Sequence, residues 1–458
     1  IIRSTTCIIY KNPFNHFIKK IDMHRFYQNF VLFLFLASGH QLIGQSTLLT
    51  PVTTEVDKSK AGNKLPAIID NSGNTRGAGF NSENIFVATR TGGNIIYYWE
   101  IAKPDADPKT MNTTIVSGGT FPVSDLTVLG KQVFMCNMVN TTGAVFKLYE
   151  WTTKETSPRV LLEFPAPAPN VRLGDAITVL GNPATEAQLI VSGWGTKNFY
   201  IWKMKGDEIP DKTPQVITLD SVTNVNFARI TKVPQSDQYL VSGPTMGMAL
   251  LDKDFKVLEW IKPGVYFPSW PMYAQIIFFK GKRLLAYQHV KTSPIENFQY
   301  VMDISEDSTT LAAFKNIGKK NATDRIIYSV NLGNVSNGNA SVSMDLLPID
   351  AGQILSFNYS AGNGFLLQKF GGMASSVNEI DNDAFKMFPN PASGIIQIDA
   401  KYVIKQILIS DLNARIIKTI PINSKNGTID VSNLENGVML LSLETQQGVF
   451  TQKLLIQK

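Results

Sequence analysis

An all-β chain is predicted: a β-propeller of six blades, with seven as the alternative, followed by a small Ig-like β-sandwich. Three observations predict it. Short runs rich in β-branched and aromatic residues alternate with clusters of Gly, Asn, Pro and Asp, and helical periodicity is scarce. A repeat near fifty residues runs through the middle of the chain. At 458 residues the chain is too long for one ordinary domain, at roughly 150 residues each.

The N-terminal segment reads as a delivery label. Residues 1–22 contain no Met and are expected to be an upstream, non-native extension. From Met23 the character changes. Arg25 gives a basic start, Phe30–Ala37 an apolar stretch, and Ser38-Gly39 and Leu42-Ile43-Gly44 small residues before Gln45. This is the layout of a secretory signal peptide over 23–44, with an apolar run too short to span a bilayer.

The body, 45–370, carries the repeat. Tyr97-Tyr98-Trp99, Tyr149-Glu150-Trp151, Tyr200-Ile201-Trp202 and Leu258-Glu259-Trp260 place Trp at steps of 52, 51 and 58 residues. A second register agrees: Leu126–Gly130 recurs as Ile177–Gly181, and Val191-Ser192-Gly193 as Val241-Ser242-Gly243. Ile85–Ala88, Val133–Cys136, Leu189–Val191, Tyr239–Val241 and Leu284–Tyr287 form a matching set of strands. Weaker units near 274–302 and 341–370 complete six, and Leu48–Val56 is expected to close the ring by joining the last unit. A four-stranded unit cannot bury both its faces alone, which a closed ring achieves. The blade Trp residues are expected between units, in the core.

A polar linker, 371–385, precedes a tail of short strand patterns at 395–398, 406–410, 416–420, 428–431, 438–443 and 452–456. The tail contains Phe388-Pro389-Asn390-Pro391-Ala392, then Ile409-Ser410-Asp411-Leu412-Asn413, then Ile429–Leu434 with Asn436-Gly437, and ends on Lys453–Lys458. This order of motifs resembles the type A C-terminal sorting domain of the type IX secretion system of Bacteroidota. Ala414 stands where Gly usually follows Asn413, and Met439 where an aromatic is usual. The resemblance implies Sec export, then passage across the outer membrane by the type IX machinery as partner. It also implies a secreted or surface-held product, and a sorting motif carried by Phe388, Pro389, Asn390, Pro391, Asp411, Asn413, Leu434, Gly437 and Lys453. The body is similar to an uncharacterised propeller-like family of secreted proteins, through Thr75–Asn81 followed by Ile85–Arg90.

Charge narrows the function. The chain is +6, but residues 1–44 supply +4 and residues 386–458 supply +3, leaving the body near −1. A nucleic-acid binder needs a basic stripe, so no nucleic-acid partner is expected. Beyond residue 44 the chain has one Cys, Cys136, and one His, His289, so neither an intrachain disulfide in the processed chain nor a His/Cys metal cluster is expected. His289 is read as a structural strand residue, and Asp70–Asn74 as a turn with only a weak echo of a calcium loop. No phosphate-binding Gly loop in a strand–turn–helix setting appears, and no cofactor is expected.

Ligands of propellers meet the central channel or the loops at one mouth. The residues expected there, one per unit just before the innermost strand, are Arg76, Asp125, Asp175, Arg229 and Gln275. Such a ring suits a sugar or a carboxylate; the favoured alternative is that these groups pair with each other and hold the ring closed. Trp194 and Trp270 lie outside the repeat register and could stack on sugar faces, with core packing as the alternative. The expected activity is that of a non-catalytic binding module for glycan or protein. The alternative is an extracellular carbohydrate-active enzyme using Asp125 and Asp175.

Overall fold

The computed structural model describes residues 47–458 except 51, 70–72, 168–170, 264–269, 293–294, 318–324, 340, 351, 372–384, 411–415 and 446–448. The expected signal peptide and upstream extension, together with Asp411, Asn413, Ala414 and most of the expected linker, therefore lie outside the described residues. Within them the chain is all-β, with one α-helix, α1 (Thr310–Ile317).

The body is six four-stranded antiparallel sheets. β1 (Val52–Ser59) is set apart from its sheet in sequence. Sheet one follows as β2 (Thr75–Phe80), β3 (Asn84–Thr89), β4 (Ile95–Glu100) and β5 (Lys109–Thr110). Sheet two is β6 (Phe121–Leu129), β7 (Gln132–Met138), β8 (Val145–Trp151) and β9 (Arg159–Pro165). Sheet three is β10 (Ile177–Asn182), β11 (Glu186–Ser192), β12 (Asn198–Met204) and β13 (Gln215–Thr218). Sheet four is β14 (Arg229–Lys232), β15 (Tyr239–Gly243), β16 (Gly247–Leu251) and β17 (Val257–Ile261). Sheet five is β18 (Trp270–Phe279), β19 (Lys282–Thr292), β20 (Ile295–Asp303) and β21 (Ile326–Asn331), with α1 inserted before its last strand. Sheet six is β22 (Val342–Pro348), β23 (Gln353–Ser360) and β24 (Gly364–Gly371), completed by β1 along β24. The expected joining of the N-terminal strand to the last unit is thus seen, at Val52–Ser59.

The first strands touch one another in turn: β2 with β6, β6 with β10, β10 with β14, β14 with β18, β18 with β22, and β22 with β2. β2 and β3 are buried at every residue.

The expected set Ile85–Ala88 to Leu284–Tyr287 falls on the second strand of each of sheets one to five. Trp99, Trp151 and Trp202 sit in third strands and are at most 2% exposed. Each fills a seam between sheets: Trp99 meets Phe365 at 5.0 Å, and Trp202 meets Phe164 at 5.2 Å. Trp260 departs from the register. It stands in the fourth strand, β17, half-buried, and Leu251 takes the third-strand place opposite Tyr239. The odd step of 58 residues is the trace of that displacement.

The tail forms one five-stranded sheet from β25 (Phe385–Phe388), β26 (Ile395–Ser410), β27 (Ile416–Asp430), β28 (Gly437–Thr445) and β29 (Val449–Ile456). Four of the expected short strands are joined in two long ones. β26 pairs β25 over its first part, β28 over its second and β27 along both, with register shifts between Asp399 and Gln406. Alternate residues Ile396, Ile398 and Ala400, then Ile404, Ile407 and Ile409, keep one apolar core on either side of the shift.

Candidate functional site

Backbone irregularities place the site residues. Pairing slips between Thr75 and Ala78 in β2, between Phe121 and Asp125 in β6, and between Pro271 and Ala274 in β18. A bulge turns a strand and re-aims its side chains. Arg76, Asp125 and Gln275 lie in or just beyond these bulges, within first strands rather than before them. Asp175 precedes β10, and Arg229 opens β14.

Asp125 and Arg229 form the centre. Arg229 Nη2 donates to Asp125 at 2.8 Å, although the two belong to sheets four and two. Arg229 Nη1 donates to Ile177 O at 2.6 Å, Nη2 reaches Val342 O at 3.3 Å, and Ile177 N donates to Asp125 Oδ2 at 2.7 Å. One ion pair thus ties the first strands of sheets two, three, four and six. The side chains are 5% and 2% exposed. Removing two charges from water costs several kcal/mol each, offset only where geometry and added hydrogen bonds are good, as here. These two residues are thus paired across sheets.

Nearer the loops, Arg172 Nε donates to Asp175 Oδ2 at 2.5 Å. Burial pushes the Asp175 carboxyl up, against the opposing pull of Arg172 and Arg76. The Arg172 guanidinium also lies 4.5 Å from the Trp194 ring and 5.4 Å from Phe227, within cation–π range. Trp194 and Arg172 exchange backbone hydrogen bonds, at 2.9 and 3.2 Å. Trp194 is half-buried, neither a free platform nor a core residue. Trp270 opens β18, and its side chain lies outside the described residues.

Arg76 is 5% exposed, yet it has one polar side-chain contact, Nη2 to Ser124 Oγ at 3.5 Å. Its Nε has no acceptor, and among the described residues no carboxylate comes within 4.0 Å. Arg90 stands near it, over the Phe121 ring at 4.0 Å, donating to Gly73 O at 3.0 Å. Burial, and then the charge of Arg76, pulls the Arg90 pKa down to about 10.

Gln275 faces sheet six, where its Oε1 accepts from Leu346 N at 2.9 Å. Beside it Asp345, in β22, has its pKa raised to about 6 by burial, with the Gln275 hydrogen bond opposing. Tyr273, Gln275 and Asp345 are half-buried.

Arg172, Arg90 and Asp345 were not singled out by sequence. Asp345 had a signal: Val342-Ser343-Met344-Asp345-Leu346 echoes Val123-Ser124-Asp125-Leu126 one residue out of step. His289 is fully buried in β19, with Nε2 3.5 Å from Glu296. A separate cleft of about 490 Å³ between Gly118–Thr120 and Ala144–Lys147 offers one charge, Lys147, held by Glu163 at 3.0 Å.

In the tail, Asn390 clasps the last strand. Its Nδ2 donates to Lys453 O and its Oδ1 accepts from Leu455 N, both at 2.8 Å. Ala392 N donates to Leu455 O at 2.8 Å, and Lys458 N to Asn436 at 3.0 Å. Phe388–Ala392 and Asn436-Gly437 are thereby brought to the chain end. Leu434 and Met439 are buried in the tail core, while Phe388 is 48% exposed. Pro389 and Pro391 each follow a cis peptide bond. Met439 thus does the apolar packing that the usual aromatic would do.

The profile of a family described as a domain of unknown function, DUF4623, matches residues 51–352, well over half of the chain. The chain belongs to the DUF4623 family. A crystal structure of a DUF4623 protein from Bacteroides eggerthii is 20% identical, with a TM-score of 0.61, over 70% of this chain and 75% of that one. This likeness is one of fold. The family profile stops between β22 and β23, whereas sheet six of this DUF4623 chain runs on to Gly371. A secretion system C-terminal sorting domain matches residues 386–457. The protein is therefore exported by that system to the cell surface or the medium, and among the described residues no helix is long and apolar enough to cross a membrane.

Weaker likenesses include a protein of unknown function from Bacteroides thetaiotaomicron, 10% identical with a TM-score of 0.41 over 70% of this chain and 75% of that one. Another is an alpha-L-arabinofuranosidase from Podospora anserina in complex with cellotriose, 12% identical with a TM-score of 0.35 over 71% and 98%. Scores this low say nothing about activity. No curated protein matches the sequence significantly.

Proposed function

We propose that this DUF4623 chain is a six-bladed β-propeller, spanning 45–370, that acts outside the cell as a non-catalytic binding module for a glycan or a surface protein. The cyclic contacts of the six first strands and the closure of sheet six by β1 support the ring. A signal peptide over 23–44 would deliver the chain to the periplasm, and the tail, an Ig-like sandwich on this reading, would pass it to the type IX machinery. No cofactor or nucleic-acid partner enters the proposal.

The observation that carries the binding reading is the state of the ring of charges. Asp125 is held by Arg229 and Ile177, and Asp175 by Arg172, so neither carboxylate is disengaged for acid–base work. Arg76 and the Trp194–Phe227 rings instead offer recognition groups at one end of the first strands. The test is incubation of the full chain with a panel of polysaccharides, following retention and soluble products together. Retention without product, weakened by Trp194→Ala, supports the binding module.

The enzyme reading keeps one observation in its favour. Asp345, half-buried in β22, has its pKa raised to about 6, where a general acid is useful. Released oligosaccharide, lost in Asp345→Asn or Asp175→Asn, would replace the binding reading. For the tail, deletion of 386–458 is expected to retain the protein in the periplasm. A mature external form still carrying 386–458 would refute a cleaved signal.

A further inference from the structure

The mouth residues do not balance in charge. Arg76, Arg172 and Arg229 face Asp125 and Asp175, and each aspartate is taken by a different arginine, Arg229 and Arg172 respectively. Arg76 is left over. It is almost fully buried; among the described residues its Nε has no acceptor and its side chain has one polar contact, the long one to the Ser124 hydroxyl. Arg90 adds a second cation next to it without a carboxylate of its own among the described residues. Asp345 does not supply the missing charge, because the groups acting on it are Gln275 and the Leu346 backbone, with no arginine among them.

A buried, unneutralised guanidinium is costly and is rarely kept without a partner. A carboxylate is the planar acceptor that fits its remaining donors, and a charge-assisted bond there is roughly twice as strong as a neutral one. The aromatic rings set the rest of the ligand. Trp194 and Phe227 both lie against the Arg172 guanidinium, whose partner Asp175 also feels the charge of Arg76, and the pyranose faces of sugars pack on such rings. Phe227 holds φ at +55°, a conformation unfavourable for a bulky residue.

We propose that the channel mouth binds an acidic glycan, a chain containing uronic acid, whose carboxylate pairs with Arg76 while a neighbouring sugar packs against Trp194 and Phe227. This rests on the binding-module reading and names its ligand class. Arg172 and Asp175 then position the Trp194 ring and supply polar contacts to hydroxyl groups.

The test uses the full chain and calorimetric titration with oligomers of galacturonate, glucuronate and mannuronate, each alongside its methyl ester. The ester keeps the sugar face and removes the charge, so the ligand series needs no variant that might unfold. At least one acid oligomer is expected to bind tenfold or more tightly than its ester, and to weaken as salt rises. Arg76→Gln should remove that preference, and Arg76→Lys should restore part of it. Equal binding of acid and ester would overturn the carboxylate assignment and leave glycan binding standing. Binding of poly-glutamate in preference to every oligomer would overturn the glycan assignment. Absence of binding across the whole series, with polysaccharide retention also absent, would overturn both this inference and the binding module.

Discussion

Two seams between neighbouring sheets are built on opposite chemistries. Between sheets two and three the filling is apolar: Trp202 is 1% exposed and packs on Phe146 and Phe164, with Cys136, Leu148, Leu189 and Val191 around it. Between sheets five and six, part of the seam is equally apolar, through Ile277, Ala286, Leu346 and Phe370. The rest is a buried set of amides and hydroxyls. Gln288, Asn297 and Gln299 come from sheet five, and Ser356, Asn358 and Ser360 from sheet six. Gln288 Nε2 donates to Asn358 at 2.5 Å and to Tyr359 O at 2.7 Å, Ser356 to Gln299 at 3.0 Å, and Ser360 to Asn297 at 2.7 Å.

The alternation of β23 explains how one strand serves both. Leu355, Phe357 and Tyr359 face the apolar seam with sheet one, while Ser356, Asn358 and Ser360 face sheet five. A strand's two faces are independent, so one can be rewritten in polar residues without disturbing the other. The difference teaches that an apolar seam is specified by volume, a polar one partner by partner. Among the described residues Gln288 Oε1, Gln299 Nε2 and Asn358 Nδ2 find no protein partner, which makes the polar seam a fit place for internal water.

The comparison can be broken by substitution. The largest effect is expected at Trp202→Ala, which should lower stability by about 3–5 kcal/mol in urea denaturation. A loss below about 1 kcal/mol would show that the ring does not fill the seam. In the polar seam, Asn358→Leu and Gln288→Leu should each cost about 1–3 kcal/mol, because each removes a buried hydrogen-bond partner from the other amide. Together they should cost less than the sum, by about 1 kcal/mol, and strict additivity would deny the coupling. Trp260→Ala should cost only about 1 kcal/mol, since its half-buried ring withdraws less area from water. A cost equal to that of Trp202→Ala would restore Trp260 to the core register.

The smallest expected effect is on pH dependence. Burial raises the Asp345 carboxyl from 3.8 to about 6, so the folded state binds its proton more tightly than the unfolded chain. The charged form therefore disfavours folding above pH 6, and that penalty fades as pH falls towards 4. Between pH 7 and pH 5 the wild-type melting temperature should rise relative to Asp345→Asn. Parallel curves would mean that the carboxyl is solvated.

Much of the fold was legible because it repeats locally. The second strands of sheets one to five, the apolar Trp seams and the closing strand β1 all follow from spacing and alternation along the chain. Trp260 was misread because a periodic aromatic does not reveal which strand of a unit carries it. The polar seam was illegible to a search for apolar repeats, and this is why units five and six looked weak. In the tail, two pairs of expected strands are single strands, because a register shift need not interrupt pairing as a turn would.

The sequence by itself determined the address and the material: an export tail read from ordered motifs, and a body of short strands whose period demands neighbours to cover both faces. It also nominated Arg76, Asp125, Asp175 and Arg229 as residues near one axis. Only the tertiary structure decided which charges cancel. Asp125 and Arg229 are 104 positions apart, and Arg172 gained its meaning from Asp175 and Trp194 together. Local periodicity fixes which way a side chain points. The energy of a buried charge depends on which partner arrives within about 3 Å from another sheet.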